Sequence, residues 1–379
     1  MSGGRVKPGD APRRDGTDVL PRRAISVEKS SPGVGSHHRA RLAYVDRLRV
    51  AAAAAVVMVH VSSVGWTAAA PASADWQAAN IYGSVSRWCV PIFFMISGVL
   101  FLAPNREDSP RKIWNHYILR LFVMYLAWSF AYTLADAVAE HNWSPAYLLQ
   151  HLWNGYYHLW YLPAMAGVYA LIPLLQRIVS VPALTRYALI LTGVASILVP
   201  TTAMIPILGS HSTDLVDRVA PFLLAGFPFY FILGHFLHES DKELPRWVRP
   251  ASYVGAILGV VVTIAGTSAL SVSKGEGVGS FYGYLTLGVV LTSVGVFLIF
   301  RDLGGEAITS PRLATISRWT LPIYLMHPAF IRLLSEFDVS PGLLPTAIGI
   351  PLIWVGVLLL CALISAVLVR IPIVNSWLI

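Results

Sequence analysis

Apolar stretches of about 20 residues recur along the whole chain, and they restrict the possible folds more than any other feature. Inside a bilayer the backbone must satisfy its own hydrogen bonds, and only helices and closed barrels do so. The 379 residues are 55% hydrophobic and only 13% charged, whereas a soluble domain is about 25% charged. The sequence therefore predicts an all-α, polytopic membrane protein.

We expect about ten transmembrane helices, because about 20 apolar residues suffice to cross a bilayer. Their approximate bounds are 43–65, 82–103, 113–137, 158–176, 186–208, 220–238, 250–270, 281–300, 317–336 and 347–370. Prolines interrupt the fourth (Pro163 and Pro173) and the ninth (Pro322 and Pro328). Residues 1–40 are rich in Gly, Pro, Ser and Arg, so we expect a disordered basic tail before a membrane domain over 41–379.

The net charge of +8 is distributed as in a membrane protein rather than a nucleic-acid-binding protein. Eleven of the 28 lysine and arginine residues lie in residues 1–49, and twelve more lie in alternate predicted loops and at Arg370. The positive-inside rule then places both termini in the cytoplasm, with the chain in the cell membrane. The first apolar run is too long for a signal peptide, so we expect no cleavage.

The first predicted helix carries Asp46 and Arg49 at its start and His60 deep inside. At about 100° per residue, Arg49 and His60 share one face, and Asp46 lies within roughly 40° of it. An ionisable side chain inside a membrane helix indicates a functional site, although a histidine can also simply donate to a neighbouring carbonyl. We predict that His60 is a general base, that Asp46 also belongs to the catalytic group, and that Arg49 contacts an anionic ligand.

Other residues complete two predicted binding regions. Near the cytoplasmic surface of the third helix, basic residues suit phosphate groups, namely Arg111, Lys112 and Arg120. Toward the outer surface and mid-membrane, an acceptor region is predicted from Arg87, His158, Trp160, Tyr324 and His327. Ser97 and Gly98 are most simply explained by close helix packing, and a serine nucleophile would need an adjacent base. Neither the histidines nor the two cysteines have the spacing of a metal site.

Four motifs in order resemble the integral-membrane acyltransferase family 3, over about residues 41–370. The opening motif is carried by Tyr44, Asp46, Leu48, Arg49, Ala52 and His60. The other three lie at 90–98 (VPIFFMISG), 158–162 (HLWYL) and 323–328 (IYLMHP). Many members carry two arginines three apart in the third helix, whereas here Tyr117 stands three residues before Arg120. With no further domain of useful size in the sequence, the resemblance points to the stand-alone O-acetyltransferase branch.

The resemblance implies transfer of an acyl group, acetyl above all, from cytoplasmic acyl-CoA to a hydroxyl of a cell-envelope glycan or lipid-linked sugar. Acyl-CoA is then a substrate, and no permanently bound cofactor or metal is expected. Direct transfer through a ternary complex is the predicted route, with a covalent acyl-enzyme left open. A transporter or flippase using His60 and His327 as a proton relay is the alternative, but the inverted repeats it would need are not visible.

Overall fold

The computed structural model describes residues 42–378 apart from 105, 199–200, 202–225, 240–244, 305–307 and 373, together with residues 1, 3 and 4. Within this part the chain is helical, and its β-type pairing is one isolated bridge between Leu42 and Ile308. The prediction of an all-α, polytopic membrane protein is confirmed. The predicted tail over 1–40 lies outside the described residues, apart from positions 1, 3 and 4.

Fourteen helices are numbered here in chain order within the described residues. They are α1 Ala43–Ala68, α2 Ala74–Ser86, α3 Cys89–Phe101, α4 Pro110–Glu140, α5 Pro145–Asn154, α6 Tyr161–Ala170, α7 Ile172–Val179, α8 Pro182–Gly193, α9 Gly226–Glu239, α10 Val248–Lys274, α11 Leu287–Gly304, α12 Pro311–Arg318, α13 Thr320–Glu336 and α14 Thr346–Leu368. Helix α4 includes a π-helical segment, Ile113–Ile118. Helix α1 packs against six others and so forms the centre of the bundle: α2, α3, α11, α12, α13 and α14.

Six continuous helical stretches of the described residues are long and apolar enough to cross a membrane, or seven if one bent pair counts as a span. They are Ala43–Ala68, Ala74–Phe101, Pro110–Glu140, Val248–Lys274, Ser280–Gly304 and Thr346–Leu368. The predicted spans 186–208 and 220–238 run partly outside the described residues. The count of ten therefore stays a prediction, as does the cytoplasmic location of both termini.

Both spans in which the sequence places interrupting prolines are broken. In the fourth, α6 and α7 meet at an angle of 57°, and Pro173 lies in the first turn of α7. In the ninth, the break falls at Trp319, so that Pro322 lies in the first turn of α13. A proline ring clashes with the carbonyl four residues earlier but fits the first turn of a new helix. The breaks therefore lie where Pro173 and Pro322 are best tolerated, whereas Pro328 lies inside α13 without breaking it.

Helices α3 and α9 cross in close contact because each presents a glycine to the backbone of the other. A Cβ atom at Gly98 would overlap the carbonyl oxygen of Phe231, and one at Gly234 would overlap that of Met95. Small residues permit such close approach in membrane helices. This crossing confirms packing as the role of Gly98.

Replacing Gly98 with alanine should lower the stability of the folded protein by about 1–3 kcal/mol, because the added methyl group overpacks the crossing. The measurement is the thermal unfolding midpoint in detergent micelles. Gly356→Ala is the matched control, since a Cβ at Gly356 would meet nothing within 4 Å. Equal midpoints for Gly98→Ala and Gly356→Ala would contradict the close crossing.

Candidate functional site

Three histidines from separate parts of the chain lie together inside the bundle, and we call His60, His158 and His327 the histidine cluster. The ring centroid of His327, on α13, lies 4.9 Å from that of His60, on α1. His158 precedes α6, and its centroid lies 5.5 Å from that of His327. His158 and His327 are buried, whereas His60 is half-buried. The structure thus joins the predicted base to two residues predicted for the acceptor region.

A hydrogen bond to the backbone fixes the tautomer of His327. Its Nδ1 lies 3.1 Å from the carbonyl oxygen of Ile323, and because a carbonyl can only accept, Nδ1 must carry the proton. When the ring is neutral, Nε2 therefore presents its lone pair. Nε2 is buried and has no hydrogen-bond partner among the described residues. The cluster thus contains a proton acceptor one ring away from His60.

Tyrosines surround the histidine cluster and position its members. The hydroxyl of Tyr324 donates to the carbonyl oxygen of His158 at 2.5 Å, and that of Tyr132 donates to the carbonyl oxygen of Leu325 at 2.8 Å. The ring centroid of Tyr157 lies 5.2 Å from that of His60. Among the described residues, no group of three or more His, Cys, Asp or Glu side chains is arranged to hold a metal ion.

A cavity of about 490 Å³, which we call the arginine cavity, extends from the start of α1 toward the cluster. Three guanidinium groups line it, those of Arg49, Arg120 and Arg318. Other lining residues include Val56, Ser97, Tyr161, Tyr169 and Tyr324. Val56 lies one turn before His60 on α1, and the Tyr324 ring contacts both His158 and His327. The cavity therefore runs from a cationic region to Tyr324, which packs against the histidine cluster.

Asp46 connects the start of α1 to α12 rather than to His60. Its buried carboxylate accepts hydrogen bonds from Ser317 at 2.6 Å and Thr309 at 2.8 Å, and it lies 3.7 Å from the Arg49 guanidinium. Fourteen residues of helix separate it from His60 by about 21 Å. The structure therefore places Asp46 where it orients Arg49 at the arginine cavity.

Arg106 lies where the third-helix motif departs from the family pattern. Its guanidinium donates to the hydroxyl of Tyr117 at 3.2 Å and to the Asp108 carboxylate. Lys112 also donates to Asp108, at 2.8 Å. Burial acts to raise the pKa of the Asp108 carboxyl, but the hydrogen bonds from Lys112 and Arg106 outweigh it and hold the pKa below its usual range. Tyr117 in turn packs against Tyr169 of the arginine cavity.

In the part of the chain that the structure describes, the remaining predicted residues lie outside the histidine cluster and the arginine cavity. Arg111 is exposed at the start of α4, and Lys112 is engaged with Asp108. Trp160 packs against Phe227 and Tyr284, with ring centroids 5.5 and 5.8 Å away. Arg87 lines a separate pocket of about 200 Å³ near the far end of α1. The roles predicted for these four residues stay predictions.

The sequence alone did not point to Arg318, Arg106 or Tyr169. Arg318 is a basic residue at the predicted cytoplasmic end of a span, where the positive-inside rule already explains it. Arg106 lies in a predicted loop with no motif of its own. Tyr169 lies within an apolar run, like many membrane tyrosines. Only the tertiary structure places Arg318 and Tyr169 in one cavity with Arg49 and Arg120, and Arg106 beside Tyr117.

These features define a multi-pass helical membrane protein in which one central helix joins a cation-lined cavity to buried histidines. Residues 42–370 match the family model Acyl_transf_3, described as an acyltransferase domain. The chain therefore belongs to membrane acyltransferase family 3, in agreement with its four sequence motifs. Comparison with curated proteins and comparison with solved structures gave no match.

Replacing Asp46 with alanine should destabilise the junction of α1 and α12 by about 1–3 kcal/mol, because the buried hydroxyl of Ser317 and that of Thr309 lose their acceptor. The thermal unfolding midpoint in detergent tests this. Thr315→Ala is the control, since this exposed threonine of α12 donates to the carbonyl oxygen of Pro311 in its own helix. An Asp46→Ala midpoint equal to that of Thr315→Ala would contradict the proposed junction.

Proposed function

We propose that the protein transfers an acyl group, with acetyl favoured, from cytoplasmic acyl-CoA to a hydroxyl group of a cell-envelope glycan or lipid-linked sugar. One observation carries this proposal above the others: the arginine cavity is lined by Arg49 at one end and by Val56, one turn from His60, at the other. Membership in an acyltransferase family disfavours the transporter alternative.

The arginine cavity suits the phosphate groups of the donor. Guanidinium groups bind phosphate bidentately, and Arg49, Arg120 and Arg318 converge on one cavity. The charge distribution assigns this end of the bundle to the cytoplasm, where acyl-CoA is present. Arg106 reaches Tyr117 from the neighbouring loop, so it supplies a guanidinium where the third-helix pattern lacks one.

The histidine cluster suits the transfer step. His60 takes the proton of the acceptor hydroxyl as its oxygen attacks the thioester carbon. The carbon–sulfur bond then breaks, and the CoA thiolate leaves and takes up that proton. The ring of His327 lies beside that of His60, and the lone pair on its Nε2 favours the protonated His60 that forms between the two proton transfers. Asp46 acts here as a positioning residue for Arg49.

Replacing His60 with glutamine should reduce acyl transfer by about 10²–10⁴-fold, because the acceptor hydroxyl loses its general base. The assay follows radiolabelled acetyl-CoA with the purified protein in lipid nanodiscs and an envelope glycan fraction as acceptor. His151→Gln is the matched control, since His151 Nδ1 bonds to the carbonyl oxygen of Tyr147 in its own helix and its ring stacks on the Tyr147 ring. Substantial transfer by His60→Gln, with binding of acetyl-CoA retained, would exclude His60 as the base.

Replacing Arg49 with glutamine should weaken acetyl-CoA binding about 10- to 100-fold, because a charge-assisted contact to phosphate is lost. Equilibrium binding of labelled acetyl-CoA to nanodisc-embedded protein measures this directly. Arg47→Gln removes an exposed arginine that lies two residues earlier and points away from the cavity. Comparable losses in Arg49→Gln and Arg47→Gln would show that only net surface charge matters.

A further inference from the structure

A second pocket lies at the opposite end of α1 from the arginine cavity, and we call it the aromatic pocket. Its volume is about 200 Å³, the space of roughly seven water molecules at about 30 Å³ each, which suits a single sugar ring. It is lined by Ser62, Ser63, Trp66, Ala79, Gly83, Arg87, Gly279 and Tyr282.

The aromatic walls of this pocket are held in place by their neighbours. The hydroxyl of Tyr282 donates to Oδ1 of the buried Asn80 at 2.8 Å, and Nδ2 of Asn80 donates to the carbonyl oxygen of Ile264 at 3.0 Å. The Trp66 ring lies 4.9 Å from that of Tyr282 and 4.3 Å from that of Trp76, between centroids. The Trp66 and Tyr282 rings thus form a fixed aromatic wall of the pocket.

The same pocket carries one cation. The guanidinium carbon of Arg87 lies 3.9 Å from the centroid of the Tyr282 ring. The Nε atom of Arg87 is buried and has no hydrogen-bond partner among the described residues. A buried charged donor normally has a partner, and the residues that line the pocket in the described part of the chain include no carboxylate. The guanidinium also bonds to the Tyr284 hydroxyl, and an anionic group of a ligand would pair with the remaining Nε donor.

The pocket also lies next to the histidine cluster. Ser63 is three residues beyond His60 on α1, and its hydroxyl donates to the carbonyl oxygen of His60 at 2.7 Å. Trp66 lies about 9 Å from His60 along the helix axis. A ligand of the size of one sugar in the aromatic pocket is therefore close enough to direct a neighbouring hydroxyl group toward His60.

We infer that the aromatic pocket binds a sugar unit that carries a negative charge, so that the acceptor of the transfer is an anionic glycan. The role of this sugar as the acceptor rests on the proposed function, whereas binding of the sugar to the pocket does not depend on it. The Trp66 and Tyr282 rings contact the sugar face, and Arg87 pairs with a carboxylate or a phosphate on the sugar.

Saturation-transfer NMR with nanodisc-embedded protein tests the inference with three soluble probes: methyl glucuronoside, neutral methyl glucoside and glucose 6-phosphate. We expect at least one charged probe to bind about tenfold or more tightly than methyl glucoside, because charge-assisted hydrogen bonds are the strong ones. Preference for glucuronoside identifies a carboxylate, preference for the sugar phosphate identifies a phosphate, and equal binding of both identifies charge alone. All three results support the inference.

Arg87→Gln should abolish the preference for charge, Arg87→Lys should keep part of it, and Lys274→Gln should keep all of it, since Lys274 is exposed at the end of α10. If Arg87→Gln fails to fold, loss of the preference at high salt in the unmodified protein serves instead. Equal binding of neutral and charged probes, no binding of any probe, or a preference unchanged by Arg87→Gln or by salt would overturn the inference.

Binding of labelled acetyl-CoA, measured in the same preparation without any sugar, separates the two proposals. If acetyl-CoA binds and the sugars do not, only the anionic-sugar inference fails. If the charged sugars bind through Arg87 and acetyl-CoA does not, the proposed donor fails while the aromatic pocket stands.

Discussion

Polar side chains buried within the membrane-spanning bundle join its helices, and α1 carries them at successive depths. Near its start, the carboxylate of Asp46 accepts from Ser317 and Thr309, which fixes α12 against α1. Deeper, the ring of His60 lies beside that of His327, which brings the proline-containing helix α13 to the centre. An unpaired polar group in an apolar interior is costly, so these contacts restrict how the surrounding helices can pack. The arrangement of α12 and α13 around α1 depends on them.

Regions with one dominant local signal were predictable from the sequence. The apolar run predicted at 43–65 corresponds to α1, and the proline-rich fourth span is indeed bent. Helix α2 was harder, because it begins at Ala74 while the prediction begins at 82. Its first turns contain Asp75 and Asn80, which resemble loop residues in a sequence. In the fold, Asp75 accepts from the amide of Thr346, and Asn80 bonds to Tyr282 and Ile264, so distant partners satisfy both.

In the candidate site, too, some residues could be predicted from the sequence and others only from the fold. Arg49 and His60 lie on one helix, so helical periodicity alone predicts their shared face. Arg318 reaches the arginine cavity and Arg106 reaches Tyr117 from separate segments, and no spacing along the chain relates them to Arg49. Likewise, the contact of His158 with His327 joins two segments more than 160 residues apart, which neither motif predicts by itself.

The position of the two pockets along α1 gives a physical reason for acyl transfer across a bilayer. Arg49 and Trp66 are seventeen residues apart, about 26 Å along the helix, which is close to the roughly 30 Å hydrocarbon thickness. Moving CoA phosphates or a charged sugar through that distance would be costly. In the proposed function the donor is held at Arg49 and the acceptor at Arg87, so each charge stays at its own end. Only the neutral thioester arm of the donor and a hydroxyl group of the acceptor then have to meet at His60, which keeps the desolvation cost small.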